Sequence, residues 1–106
     1  MTLQEREARA CAIIDSMAQE LRAVSLYLHD NPELGLNEHK AVKAIHQFLE
    51  KQNFISQVGL TDIRELQTAL RADYRGNAKY KIAFLGEYDA LPAVSYTHLR
   101  AHETDQ

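Results

Sequence analysis

The amino-acid sequence predicts an α/β fold in which two N-terminal helices are followed by strands. Two observations support this prediction: apolar residues recur at helical spacing in the first half of the chain, and short alternating apolar runs follow in the second half. The 106 residues are 45% hydrophobic and 25% charged, which is ordinary for a folded protein. This length allows one small domain and leaves little room for a second.

The first predicted helix runs from the start of the chain to just before Pro32. Thr2 and Glu5 have the spacing of a capping box, which satisfies free N–H groups of a first turn. Pro32 disfavours helical backbone in the residue before it. An apolar stripe follows at alternating steps of three and four: Ile14, Met17, Leu21, Val24 and Leu28. Because one helix cannot bury such a stripe alone, the stripe requires a partner surface. Cys11 lies near the stripe and is expected to be a small core residue.

The second predicted helix begins at an N-cap, Asn37, and ends near Gln52, with Asn53 as a left-handed terminating residue. His39 and His46 are expected to be exposed on it. Strands are predicted at residues 54–58, 66–74 and 80–85. Residues 62–74 also fit a helix by propensity, but their alternation and the following turn at 75–78 favour a strand.

Composition and charge exclude several classes of function. The chain has 12 basic and 15 acidic residues, hence a net charge of −3, whereas a protein that binds nucleic acid through phosphates has a basic excess. No apolar run is long enough to span a membrane, and the charged N-terminus does not resemble a secretory signal. A single cysteine excludes an internal disulfide. We therefore expect a cytoplasmic protein with no nucleic-acid or membrane partner.

Two acidic residues carry the strongest chemical signal. Glu87 and Asp89 follow the apolar run Ile82–Leu85, and on extended backbone a spacing of two places both on one face. Open α/β sheets place ligands at the carboxyl ends of their strands, where paired acids can hold a metal or orient one of its ligands. The alternative from spacing alone is a pair of solvated charges at a strand end.

Two motifs resemble one known family. Ala83–Pro92, which reads AFLGEYDALP, resembles the strand-end motif of the zinc-dependent peptidases and amidohydrolases. Leu28–Gly35, which reads LHDNPELG, and then Glu38 resemble that family's signature between its first two helices. The family includes aminoacylases, glutamate carboxypeptidases and p-aminobenzoyl-glutamate hydrolases. The resemblance covers residues 1–92 and implies the incomplete start of a metallopeptidase-type catalytic domain.

The resemblance also implies roles for four residues. Asp89 matches the catalytic-site acid that orients a metal-ligating side chain, and Glu87 matches a metal-ligand position. His29 and Glu38 match positions that support the mouth of the site. The full-length enzyme would use zinc or manganese to hydrolyse an amide bond to an amino acid, in an N-acyl or aminobenzoyl amino acid or a dipeptide.

The remaining ligands and the general base would come from segments outside this sequence. The resemblance therefore implies that this chain binds no metal tightly and is inactive by itself, and that the full-length enzyme is a possible homodimer. A different class of function, a small non-catalytic helix–strand interaction module that docks a partner helix through the apolar stripe, stays open.

Residues 93–106 are expected to be an artefactual tail. Val94–Thr104 resembles a read-through translation of a transposase-type sequencing adapter. His98 and His102 have the spacing of a metal pair on a helix, and a compact zinc domain built on them is the alternative.

Overall fold

The computed structural model describes residues 1–60, 66–74, 76 and 79–92. Within these ranges the order of helices before strands is confirmed, and with it the α/β class. The elements are α1 (Leu3–Ser16), α2 (Ala18–Asp30), α3 (His39–Lys51), β1 (Ile55–Leu60) and β2 (Leu66–Asp73). None of the helices in these ranges has the length and apolar character needed to cross a membrane. The tail, with His98 and His102, lies outside the described residues, so its interpretation stays a prediction.

The prediction of one continuous N-terminal helix is wrong, because α1 and α2 meet at Met17. The Ser16 hydroxyl donates to the Ile13 carbonyl at 2.6 Å, and the Met17 N–H donates to the Ile14 carbonyl at 3.0 Å. A serine hydroxyl that competes for helix carbonyls bends or ends a helix, and the bond over three residues tightens its last turn. The predicted capping box at the start of α1 is confirmed.

Helix α1 buries none of its residues, and α2 is the one described element that it contacts. Ile14 and Leu21 of the predicted stripe are exposed, whereas Val24 and Leu28 are half-buried. Cys11 is exposed, so its placement in the core is wrong. A helix of this length obtains most of its stability from packing, and among the described elements α1 has α2 alone as a partner.

Helix α3 packs on the hairpin of β1 and β2 and forms the small core with it. Among the described residues, Ala41, Val42 and Thr68 are the buried ones. The expectation that His46 is exposed is wrong: it is half-buried, with Nδ1 2.5 Å from the Ser56 hydroxyl and Nε2 2.8 Å from Glu50 Oε1. Its ring therefore joins α3 to β1.

The ends of α3 differ in how well the sequence predicts them. The helix begins at His39, with Glu38 rather than Asn37 at the N-cap position and no capping bond from its own side chain. Its first-turn N–H groups are instead bonded by the loop that precedes it, as described below. At the other end Asn53 has a φ of 68°, which confirms the predicted left-handed residue.

Strands β1 and β2 confirm two of the three predicted strands, including the segment that was ambiguous between helix and strand. They pair antiparallel, from Ile55 opposite Asp73 to Val58 opposite Leu70. The register then shifts at Gly59, whose φ of 84° is a conformation that glycine adopts without strain.

The third predicted strand, residues 80–85, is wrong. Residues 81–89 form no regular structure, and the large apolar side chains of this segment are 78–101% exposed: Tyr80, Ile82, Phe84 and Leu85. A strand needs a hydrogen-bonding neighbour, and this segment pairs with neither β1 nor β2. Most of the predicted turn at 75–78 lies outside the described residues. The segment rejoins the fold at Ala90, which forms a single parallel bridge with Leu34.

Candidate functional site

A cleft of about 240 Å³ lies between β2, the loop before α3 and the segment that carries the two predicted acids. Glu38, Glu87 and Asp89 all line it, so the structure brings together three of the four residues that the sequence singled out. The other lining residues are Leu36, Leu66, Thr68, Ala69, Leu70, Gly86 and Tyr88. With three carboxylates and no basic side chain among these residues, the cleft favours a cation over an anion.

Thr68 connects the two sides of the cleft. It is 6% exposed, and its hydroxyl donates to Glu38 Oε1 at 2.8 Å. Its main-chain carbonyl accepts a hydrogen bond from the Tyr88 hydroxyl. Thr68 therefore holds Glu38 through its side chain and the residue between Glu87 and Asp89 through its backbone. Burial raises the pKa of Tyr88, and the negative charge of Glu38 raises it further, so the phenol stays a hydrogen-bond donor at neutral pH.

The segment beyond Tyr88 is held by the loop that precedes α3. The Ala90 N–H donates to the Glu33 main-chain oxygen at 2.6 Å. A Cβ atom placed on Gly35 would lie 3.7 Å from Asp89 Oδ2, so the Asp89 carboxylate lies directly against this loop. The loop thus determines where the second acid of the pair stands.

The Glu33 side chain also accepts hydrogen bonds from the first turn of α3, where the N-cap residue Glu38 makes no capping bond. Its two carboxylate oxygens accept from the N–H groups of Lys40 at 2.9 Å and Ala41 at 2.8 Å. Desolvation raises the pKa of Glu33, but these two hydrogen bonds and the positive charges of Lys40 and His39 outweigh it and leave that pKa below its ordinary value. A carboxylate at a helix N-terminus also interacts favourably with the helix dipole.

This lowered pKa predicts a pH dependence of stability. A carboxyl group with a lower pKa in the folded state stabilises the fold above its unfolded pKa of about 4.3, and this contribution is lost as the pH falls through the folded value. We expect the stability difference between the wild-type chain and Glu33→Gln, which does not titrate, to shrink as the pH falls below about 4.3. Urea unfolding of both chains across this range measures it. A difference that is constant with pH would contradict the assignment.

The fourth predicted site residue, His29, does not line the cleft. Its side chain is 81% exposed on α2, and Nδ1 lies 3.4 Å from Asp30 Oδ1. Although three acids line the cleft, no group of three His, Cys, Asp or Glu side chains within the described ranges converges closely enough to hold a metal ion. The three acids of the cleft therefore do not form a complete metal site among the described residues.

Sequence reasoning missed the contributions of Glu33, Thr68 and Tyr88 to this site. An acid shortly before a helix is a recognisable signal, because carboxylates suit helix N-termini, and Glu33 gives that signal in the turn that leads to α3. The bonds that Thr68 makes join residues 20 and 30 positions away, and nothing in the local sequence marks them.

A second concave surface lies between α2 and α3. This groove of about 570 Å³ has Val24, Tyr27 and Phe48 among its apolar residues and Lys40, Lys43 and Lys51 among its charged ones. It shares no lining residue with the acidic cleft.

Comparison with known proteins relates the chain to hydrolases. It is 33% identical to the mouse Xaa-Arg dipeptidase over 100 residues, which cover 89% of this chain and 23% of the mouse protein. The human Xaa-Arg dipeptidase is 28% identical over 103 residues, covering 89% of this chain and 24% of the human protein. An uncharacterized hydrolase of Staphylococcus haemolyticus is 41% identical over 66 residues, covering 62% of this chain and 16% of that protein.

These relatives define the class of protein: the chain is related to the peptidases and hydrolases. Two of these relatives, from mouse and human, are named Xaa-Arg dipeptidases. The chain spans between 16% and 24% of the length of these three relatives. No family model matches the chain, and no solved structure matches it.

Proposed function

We propose that residues 1–92 are the N-terminal part of a metal-dependent amidohydrolase that cleaves the amide bond to an amino acid. The observation that carries this proposal is the cleft in which Glu38, Glu87 and Asp89 meet, in a chain related to dipeptidases over most of its length. The substrate class is an N-acyl amino acid, an aminobenzoyl amino acid or a dipeptide. A cytoplasmic location and a homodimeric full-length enzyme stay predictions.

The acids of the cleft have distinct proposed roles. Glu87 offers a carboxylate as a ligand to zinc or manganese, both of which accept oxygen donors in proteins. Asp89 orients a further ligand by accepting a hydrogen bond from it, and Glu38, fixed by Thr68, borders the mouth of the cleft. His29 is proposed to support that mouth, although in this structure it lies on the exposed face of α2. When bound, such a metal polarises an amide carbonyl and activates water.

The proposal predicts that this chain is inactive by itself, because its described residues supply only part of a metal site. We expect no turnover of N-acyl amino acids or of dipeptides with a C-terminal arginine by the purified 106-residue chain, with zinc or with manganese. A longer polypeptide that continues the native sequence after Pro92 is expected to hydrolyse at least one of these substrates. Metal-dependent hydrolysis by the short chain, or none by the longer one, would contradict the proposal.

The groove between α2 and α3 favours a second candidate, a non-catalytic interaction module, because it is the larger concave surface and is partly apolar. The activity of the longer polypeptide and the sequence of the source gene separate the two candidates. Hydrolysis by the longer polypeptide supports the enzyme, whereas a natural stop codon near Gln106 supports the module.

A further inference from the structure

Glu33 makes hydrogen bonds in two directions, one set through its side chain and one through its main chain. Its carboxylate oxygens accept from Lys40 and Ala41 in the first turn of α3. Its main-chain oxygen accepts from Ala90, and the next residue, Leu34, forms the parallel bridge with Ala90. Glu33 is thus a direct link between α3 and the segment that carries the acidic pair.

On the helix side, this link is attached to the packed core. Ala41 is among the buried residues of the core, so the carboxylate is attached where α3 packs on the hairpin. Because each of the two oxygens accepts a separate N–H group, rotation of the carboxylate is restricted. The carboxylate therefore also holds the loop that follows Glu33, in which Gly35 lies against Asp89.

The segment side of the link has few other supports. Within the described ranges, two hydrogen bonds join residues 79–92 to the rest of the fold: Tyr88 to the Thr68 carbonyl and Ala90 to the Glu33 carbonyl. Asp89 lies between these two attachment points. The position of Asp89 in the cleft therefore depends on both hydrogen bonds. Glu33 accepts the second of them, from Ala90.

We propose that Glu33 is a positioning residue of the acidic cleft: its carboxylate fixes the loop on α3, and its main-chain oxygen holds Ala90 so that Asp89 faces the cleft. The catalytic meaning of this role rests on the proposed function. Glu33 itself is not among the residues that line the cleft, and both of its carboxylate oxygens are engaged by the helix. It acts through Asp89.

Amide hydrogen exchange of Ala90 in the 106-residue chain tests this proposal without reference to catalysis. Glu33→Ala removes both bonds to α3 and loosens the loop that carries the Glu33 carbonyl, so we expect Ala90 to open locally and exchange about tenfold faster. Glu33→Gln keeps one carbonyl acceptor and is expected to fall between the wild type and Glu33→Ala. It also provides a milder variant if Glu33→Ala does not fold.

Ala44→Gly is the matched control, because glycine weakens α3 through its greater backbone entropy in the unfolded chain and leaves Glu33 intact. We expect it to lower the unfolding midpoint of the chain while Ala90 exchange stays within twofold of the wild type under native conditions. Equal acceleration in Ala44→Gly and Glu33→Ala would reduce Glu33 to a general stabiliser and overturn the proposal. Unchanged Ala90 exchange in Glu33→Ala would overturn it as well.

The longer polypeptide gives a second readout. If it is active, Glu33→Ala is expected to lower kcat by about 10- to 100-fold with little change in KM, the effect of displacing a residue that orients a metal ligand. An unchanged kcat would overturn the catalytic meaning of the link. An inactive wild-type polypeptide would instead overturn the proposed function, while the exchange result on the short chain still decides the structural role of Glu33.

Discussion

Replacing Asp89 with asparagine in a longer polypeptide that contains residues 1–92 is expected to lower metal-dependent amide hydrolysis by about 10- to 100-fold. The asparagine side chain is neutral and has one acceptor oxygen, so it polarises a neighbouring metal ligand less than the carboxylate does. Metal content should fall with activity, because a poorly oriented ligand binds more weakly. Steady-state kinetics and the metal-to-protein ratio of the purified protein measure the two effects.

Asp73→Asn is the matched control for this substitution. Asp73 is an exposed acid at the end of β2 that pairs with Arg71 at 3.1 Å, and it does not line the cleft. A surface pair of this kind contributes little to stability, so activity and metal content should stay near the wild-type values. If Asp89→Asn behaves like Asp73→Asn, the assignment of Asp89 to the metal site is wrong.

Replacing Val42 with aspartate is expected to unfold the helix–hairpin core. Val42 is 4% exposed, and a carboxylate there would be removed from water without a partner, which costs several kcal/mol. Val42→Ala should cost roughly 1.6 kcal/mol, the value of two buried methylene-sized groups. Far-ultraviolet circular dichroism during urea unfolding of the chain measures both.

An aspartate at an exposed position of the same helix–hairpin unit distinguishes the effect of burying a charge from the effect of adding one. Val58 on β1 is 42% exposed, so Val58→Asp should lower the unfolding midpoint much less than Val42→Asp does. Comparable losses for the two variants would indicate that α3 does not pack on the hairpin as described.

The sequence predicted those features of the fold that depend on local chemistry. The capping box of Thr2 and Glu5, the left-handed Asn53 and the alternating strand β2 all follow from residue types at fixed spacings. The break at Met17 was missed because the apolar spacing continues through it, while the hydrogen bond of the Ser16 hydroxyl is visible only in three dimensions.

Features that depend on distant partners were predicted less well. The run at residues 80–85 has the composition of a strand, but strand formation also requires a neighbour, and the described residues offer none. In the cleft, spacing identified Glu87 and Asp89 as a pair of carboxylates, whereas Glu38 was singled out only by the family resemblance. The sequence did not identify Thr68, or the main-chain bond between Glu33 and Ala90, because these bonds join residues far apart along the chain. The bonds of the Glu33 carboxylate to α3 are local, and the acid before the helix was a signal that was missed.

The bare segment at 80–85 has a consequence for handling the isolated chain. Tyr80, Ile82 and Phe84 have high β-propensity and are 78–92% exposed, so this segment can serve as a template for intermolecular cross-β stacking. Lys79 and Lys81 act as gatekeepers, because stacked copies would bring their like charges together. The isolated polypeptide is therefore expected to become more prone to aggregation as added salt screens that repulsion.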